Sequence, residues 1–161
     1  MEKIAVFPGS FDPFTIGHES VLQRALPLFD KVIVMLGVNN AKKTLFTLEA
    51  RKQMIEDLFY DEPKVSVEIH DGLTVDFCRK AKATHILRGL RTSADFEYER
   101  AIAQVNKKMY NNIETIFLLT LPEHTPVNSS LVRDILKHNG DIRIFIPENL
   151  DLKKYLGNEN D

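Results

Sequence analysis

The chain reads as a doubly wound α/β protein with a parallel sheet. Short β-branched runs alternate with helix-period segments along the length, and those runs are apolar throughout instead of alternating polar and apolar. Strands covered on both faces by crossover helices need that continuous apolar character. A third observation is the absence of any repeat, low-complexity stretch or Pro/Ser-rich linker that would divide the chain. With 161 residues, 43% of them apolar, one ordinary domain can bury enough surface to fold without disulfides or a structural metal.

Each element follows from local pattern. A strand is expected at Lys3 to Phe7, a helix at Gly17 to Phe29 and a strand at Lys31 to Val38, which together form a βαβ unit. The alternation continues with a helix at Leu48 to Tyr60, a strand at Lys64 to Ile69, a helix at Thr74 to Ala83 and a strand at Thr84 to Leu87. A long helix fits Ala94 to Tyr110, entered through Thr92 or Ser93 as cap, with Asp95 and Glu97 suiting the positive end of its dipole. Its apolar residues Phe96, Ile102, Val105 and Met109 suit core or subunit contact. A strand at Glu114 to Thr120 and a helix at Ser129 to His138 follow, the latter stopped by Asn139-Gly140. Pro147 is expected to open a short terminal helix before the polar tail 157–161.

Composition excludes several functions. Lys and Arg total 21 against 23 Asp and Glu, a net charge of −2, so no basic field draws nucleic acid or an anionic membrane. No apolar run approaches the roughly 20 residues of a spanning helix, and the start passes straight into a strand pattern without signal-peptide character. Cys78 has no second cysteine to pair with, and it reads as a small buried residue. His70, His85 and His138 show no ligand spacing. A cytoplasmic protein is expected.

Open parallel sheets bind ligands past the carboxyl ends of their strands, where strand order reverses. Between the first strand and first helix stands Gly9-Ser10-Phe11-Asp12-Pro13-Phe14-Thr15-Ile16-Gly17-His18. It lacks the Gly-Lys-Ser/Thr of a P-loop and the glycine triplet of a dinucleotide fingerprint. Gly9 permits a sharp turn and Ser10 brings a hydroxyl. His18 falls in the first helical turn, where free N–H groups and the dipole draw anions and an imidazole can donate to a phosphate oxygen.

Three further segments sit at equivalent places. Lys42, in Asn39-Asn40-Ala41-Lys42-Lys43, sets an ammonium on a flexible stem just past the second strand, while Lys43 reads as surface. Arg88-Gly89-Leu90-Arg91 places two forked guanidiniums around a glycine, able to bracket a polyphosphate or to pair with Asp95, Glu97 or Glu99 on the next helix. His124-Thr125-Pro126-Val127-Asn128-Ser129-Ser130-Leu131-Val132-Arg133 runs into a helix, and its hydroxyls can hold phosphate oxygens, or Ser129 or Asn128 can simply cap the helix.

Thr15-Ile16-Gly17-His18 resembles the T/HxGH signature of the nucleotidyltransferase superfamily. Gly9-Ser10-Phe11-Asp12-Pro13, Lys42-Lys43 with Phe46-Thr47-Leu48-Glu49, Arg88-Gly89-Leu90-Arg91 and Asp95-Phe96-Glu97-Tyr98-Glu99 extend the match. In register from Lys3 to Pro147, the chain resembles the bacterial phosphopantetheine adenylyltransferases. The resemblance implies a Rossmann-like sheet of nucleotidyltransferase type, one domain over residues 1–156 and a tail at 157–161. It further implies transfer of AMP from ATP to 4′-phosphopantetheine, giving dephospho-CoA and pyrophosphate by direct in-line attack.

By the same resemblance His18, Lys42 and Arg88 are the catalytic residues. Ser10, Phe11, His18, Gly89, Leu90, Arg91, Glu99 and the run His124, Thr125, Pro126, Val127, Asn128, Ser129 and Ser130 surround ATP. Ser10, Lys42, Thr74, Arg88 and Asn106 receive phosphopantetheine. Glu99 could equally be a helix-surface carboxylate. The family carries three consecutive serines where this chain has Asn128-Ser129-Ser130, which leaves the contact of residue 128 open. Mg²⁺ is expected with ATP instead of in a carboxylate cage, since magnesium keeps its waters and leans on substrate oxygens. A homohexamer, with CoA as a feedback ligand, is also implied. Another small-molecule nucleotidyltransferase, or a catalytically idle nucleotide sensor of the same fold, is the alternative.

Overall fold

A computed structural model describes residues 1–157; residues 158–161 of the expected tail lie outside the described residues. The strands are β1 (Ile4–Gly9), β2 (Lys31–Gly37), β3 (Val65–His70), β4 (His85–Leu90) and β5 (Glu114–Leu119). The helices are α1 (Ile16–Ala25), α2 (Leu48–Leu58), α3 (Thr74–Lys80), α4 (Ser93–Met109) and α5 (Ser129–Lys137). All five strands run parallel in the order β3-β2-β1-β4-β5, the doubly wound α/β arrangement that the sequence predicts. None of the described helices is long and apolar enough to cross a membrane.

The period-two geometry of a strand sends alternate side chains to opposite faces, and here both faces are covered. From β1, Ala5 and Phe7 join Val32, Val34, Leu36 and Leu87 in a core shared with α1, α2 and α5. Ile4 and Val6 point the other way, against Ile33, Met35, Ile86 and the α3 residues Val75 and Cys78. Cys78 is fully buried, and burial pushes its thiol up to about 12. Helix α4 contributes little to either cluster. Phe96, Ile102, Val105 and Met109 remain exposed, so the core reading of these residues does not hold.

Several element ends differ from expectation. Pro27, which has no N–H to continue the ladder, turns the end of the first helix into a short 3₁₀ turn at Leu26–Leu28. Helix α3 stops at Lys80 because Lys82 enters the left-handed region (φ 55°), letting the Ala83 N–H reach back to the Cys78 carbonyl at 2.8 Å. The terminal helix expected from Pro147 does not form. A turn closes from Leu150 N–H to the Pro147 carbonyl, and burial of Leu150 and Leu152 leaves only a 3₁₀ turn at Leu152–Lys154.

Two differences matter for function. Strand β4 continues to Leu90, so Arg88 and Gly89 are strand residues and not loop residues. Their partners on β5 decide this: Arg88 lies opposite Phe117, Gly89 opposite Leu118 and Leu90 opposite Leu119. Meanwhile β1 and β4 register only at Ala5 with His85 and Val6 with Ile86, then part. Strand order reverses at this pair, so the parting opens a crevice at the carboxyl edge of the sheet.

Candidate active site

A cavity of about 380 Å³ fills that crevice. Its floor is the β1 end, Phe7 to Asp12; one wall is α1, with Gly17, His18 and Val21; the other is Arg88, Gly89 and Arg91. Lys42 and the α5 start, Val127 to Ser130, close the rim. Glycine stands at two close approaches. A Cβ on Gly9 would stand 2.8 Å from Phe11 Cζ, and one on Gly89 would stand 3.0 Å from Val21 Cγ2. The loop from β1 to α1 thereby folds tightly under the cavity, with Phe11 in the left-handed region at φ 48°.

His18 is fixed by a capping box. The Thr15 hydroxyl accepts from the His18 N–H at 3.4 Å, while the Thr15 N–H donates to His18 Nδ1 at 3.0 Å. An accepting Nδ1 puts the ring proton on Nε2, the nitrogen left for the cavity. The ring packs on Phe11 with centroids 4.9 Å apart and on Phe14 at 5.4 Å. Burial, reinforced by the Arg88 and Arg91 guanidiniums, lowers its pKa from 6.5 to about 3. The imidazole is thus a neutral N–H donor at the base of a cationic wall.

Both arginines are also in ion pairs. Arg88 pairs with Glu99 of α4 at 2.6 Å and reaches across the crevice to the Pro8 carbonyl, also at 2.6 Å. Arg91 pairs with Asp95 at 3.2 Å. On α5, Asn128 is the cap, its side chain accepting from the Leu131 N–H at 2.9 Å, which is what its oxygen does in place of a serine hydroxyl. The Ser129 hydroxyl donates to the Pro13 carbonyl, and Arg133, at the end of the segment singled out in the sequence but given no role there, donates to the Asp12 carbonyl and to Ser130 Oγ. Arg133 lines the cavity because it lies four residues after Ser129, on the same helix face.

A second cavity of about 320 Å³ adjoins the first and shares Pro8, Gly9, Ser10, Arg88 and Glu99 with it. Thr74 at the α3 start and Asn106 on α4 line it together with Met35, Tyr98 and Ile102. Both cavities mix polar and apolar lining, and the Arg88–Glu99 pair stands at their junction.

A phosphopantetheine adenylyltransferase of Flavobacterium johnsoniae is 52% identical over 150 residues, covering 93% of this chain and 98% of that protein. The chain belongs to the phosphopantetheine adenylyltransferase family. A phosphopantetheine adenylyltransferase of Bacteroides fragilis is 50% identical over 92% of this chain and 98% of its own length. The family model described as cytidylyltransferase-like matches residues 6–135. The fold is shared with Plasmodium falciparum nicotinic acid mononucleotide adenylyltransferase in complex with NaAD, with TM-score 0.66, 20% identity and 96% of each chain covered. It is also shared with a bifunctional NMN adenylyltransferase/ADP ribose pyrophosphatase of Francisella tularensis, with TM-score 0.72 and 20% identity over 97% of this chain and 49% of that one.

Of the residues singled out by resemblance to phosphopantetheine adenylyltransferases, Ser10, Phe11, His18, Lys42, Arg88, Gly89, Arg91, Glu99 and Val127 to Ser130 line the first cavity. Thr74 and Asn106 stand on the second. Leu90 and His124 to Pro126 are absent from both walls. Leu90 is buried, and the His124 carbonyl accepts from the Val127 N–H, so these residues back the wall. The side chains do not fit a magnesium cage. No group of three or more His, Cys, Asp or Glu among the described residues could hold an ion, and the cavity's carboxylates, Asp12, Asp95 and Glu99, are each already bonded to backbone N–H groups or arginine.

Proposed function

We propose that this chain transfers the adenylyl group of ATP to the phosphate of 4′-phosphopantetheine, giving dephospho-CoA and pyrophosphate. The observation that carries the reading is the meeting of two cavities at Ser10 and Arg88. A nucleotide triphosphate in the first cavity and a phosphorylated arm in the second would bring their phosphates together there. The acceptor phosphate is already an anionic nucleophile, so no base is needed; the work is positioning and charge stabilisation.

In this mechanism Lys42, Arg88 and Ser10 hold the acceptor phosphate in line with the α-phosphate, while Thr74 and Asn106 line the path of the pantetheine arm. An acceptor oxygen bonds to the α-phosphorus as the bond to the bridging oxygen of the β-phosphate breaks. His18 Nε2–H donates to the α-phosphate oxygens as charge gathers on them. Arg91, Ser129 and Ser130 keep the departing pyrophosphate, and Gly89 allows the nucleotide close to the strand. Phe11 holds the His18 ring from below, Asn128 caps the helix behind the serines, and Leu90 and His124 to Pro126 support the wall. Glu99 acts by orienting Arg88. Magnesium enters as part of the ATP substrate.

The same proposal takes residues 1–156 as one domain of a cytoplasmic homohexamer, with CoA as a feedback ligand in these cavities. The exposed apolar residues of α4 support the association, and sedimentation as a monomer at micromolar concentration would contradict it. The reaction itself is tested by pyrophosphate release with ATP and a panel of acceptors. Turnover with 4′-phosphopantetheine is expected. No release with it, alongside turnover of nicotinate mononucleotide or of an alcohol phosphate with CTP, would reject the assignment.

A further inference from the structure

Asp12, in the floor of the first cavity, is a carboxylate only 1% exposed, and both of its oxygens are taken by backbone groups. Each oxygen accepts one backbone N–H from the segment that carries Lys42: Oδ2 from Leu45 and Oδ1 from Phe46, both at 2.9 Å. Arg51, also buried, crosses in the opposite sense. Its Nη1 donates to the Ser10 carbonyl at 2.7 Å and its Nε to the Phe46 carbonyl at 3.1 Å. The two side chains therefore bind the same two segments with complementary chemistry, one accepting from and one donating to the chain just past Lys42.

Lys42 has no such support of its own. It sits in an exposed turn, where its N–H donates to the Asn39 carbonyl, and its side chain has no hydrogen-bond or ion-pair partner among the described residues. The nearest fixed points after it are Leu45 and Phe46. Phe46 is 1% exposed and packed in the core, so the anchor is rigid. On the other side Asp12 is tied to α5, its carbonyl accepting from Arg133 Nη1 at 2.8 Å and its carboxylate lying 3.8 Å from the same group.

We propose that Asp12 is a positioning residue, which, with Arg51 as second strut, fixes where Lys42 meets the acceptor phosphate relative to the nucleotide wall. The inference rests on the reaction proposed above. A carboxylate suits the task because it alone offers two acceptors side by side; an amide would present one acceptor and turn a donor toward a second N–H. Loss of one bond frees the loop end, while α5 keeps its main tie to residue 12, because the Arg133 Nη1 hydrogen bond goes to the Asp12 backbone carbonyl at 2.8 Å and only the longer 3.8 Å ion pair involves the carboxylate.

The test is a double-mutant cycle on the full chain, with wild type, Asp12→Asn, Lys42→Ala and the double variant. Alone, Asp12→Asn is expected to lower kcat/KM for 4′-phosphopantetheine about tenfold or more, with ATP affinity by calorimetry within about threefold of wild type. In the Lys42→Ala background the same change should cost less than about twofold, since displacing an absent ammonium has no effect. A merely structural role would give equal losses in both backgrounds and weaker ATP binding, and either result, or an unchanged Asp12→Asn enzyme, overturns the inference. If Asp12→Asn does not fold, Arg51→Lys replaces it in the cycle with the same expected and overturning outcomes. Wild type that does not turn over 4′-phosphopantetheine overturns the reaction itself; wild-type turnover with additive losses overturns only the role of Asp12.

Discussion

Arg88 and Glu99 meet as a two-pronged ion pair at the junction of the two cavities, Nε donating to Oε2 at 2.9 Å and Nη2 to Oε1 at 2.6 Å. With Nη1 on the Pro8 carbonyl, three of the guanidinium N–H groups are committed and the remainder have one orientation. The pair joins strand to helix and sets the angle at which a phosphate is received. Glu99→Gln keeps the shape but removes the charge and one acceptor. Stability should fall by about 1–2 kcal/mol in urea titration. On the proposed mechanism kcat should drop about tenfold while acceptor affinity holds, because an unpaired guanidinium still attracts phosphate but no longer aims it.

His18 and Lys42 should separate kinetically. His18 meets charge that builds in the transition state, so His18→Ala is expected to lower kcat by about 10²- to 10³-fold with little change in ATP affinity. Lys42 holds the acceptor before and during transfer, so Lys42→Ala should raise KM for 4′-phosphopantetheine and also lower kcat. Steady-state kinetics and ATP calorimetry on both variants decide it; near-normal kcat in His18→Ala would remove the assigned role.

The neutrality of His18 has a pH consequence. With its pKa lowered from 6.5 to about 3, first by burial and then by Arg88 and Arg91, the native ring stays unprotonated where the unfolded ring would bind a proton. Stability linked to His18 is therefore complete above the unfolded value and is lost as pH falls from there toward about 3. Imidazole NMR signals of His18 should not titrate between pH 8 and about 5. Denaturant titrations should show a loss on acidification that is smaller in His18→Ala, and kcat should have no limb belonging to this ring.

Gly9→Ala tests the packing beneath the ring. The new Cβ, 2.8 Å from Phe11 Cζ, must displace an aromatic side chain that touches His18. A cost of about 1–3 kcal/mol is expected, as for an overpacked core. Thermal unfolding measures it, and adding Phe11→Leu to Gly9→Ala should recover part of the stability by clearing the space. Activity should fall more than stability explains if the shift reaches Nε2.

Sheet type, element order and the cap candidates Thr92 and Asn128 are legible in the chain because they depend on neighbours a few residues away: apolar period, proline, and a short side chain facing an N–H three positions on. Even the stop after α5 is local, with Asn139 in the left-handed region and the Gly140 N–H returning to the Ile135 carbonyl. The motif around His18 is equally local, which is why its residues and the cavity floor coincide.

Other features have no such signal. Arg88 belongs to a strand only because Phe117 lies opposite it, and its guanidinium is aimed by Pro8, 80 residues earlier in sequence. Arg51 occupies the buried stripe of α2 with Met54 and Ile55, a charged residue in an apolar position whose partners, the Ser10 and Phe46 carbonyls, appear only when α2 docks. Asp12 finds Leu45 and Phe46 across 33 and 34 residues, and Arg133 finds Asp12 across 121. Periodicity and capping are written by covalent neighbours, whereas these contacts exist because packing both sides of one twisted sheet brings distant segments to the parting of β1 and β4, where buried polar groups must find partners.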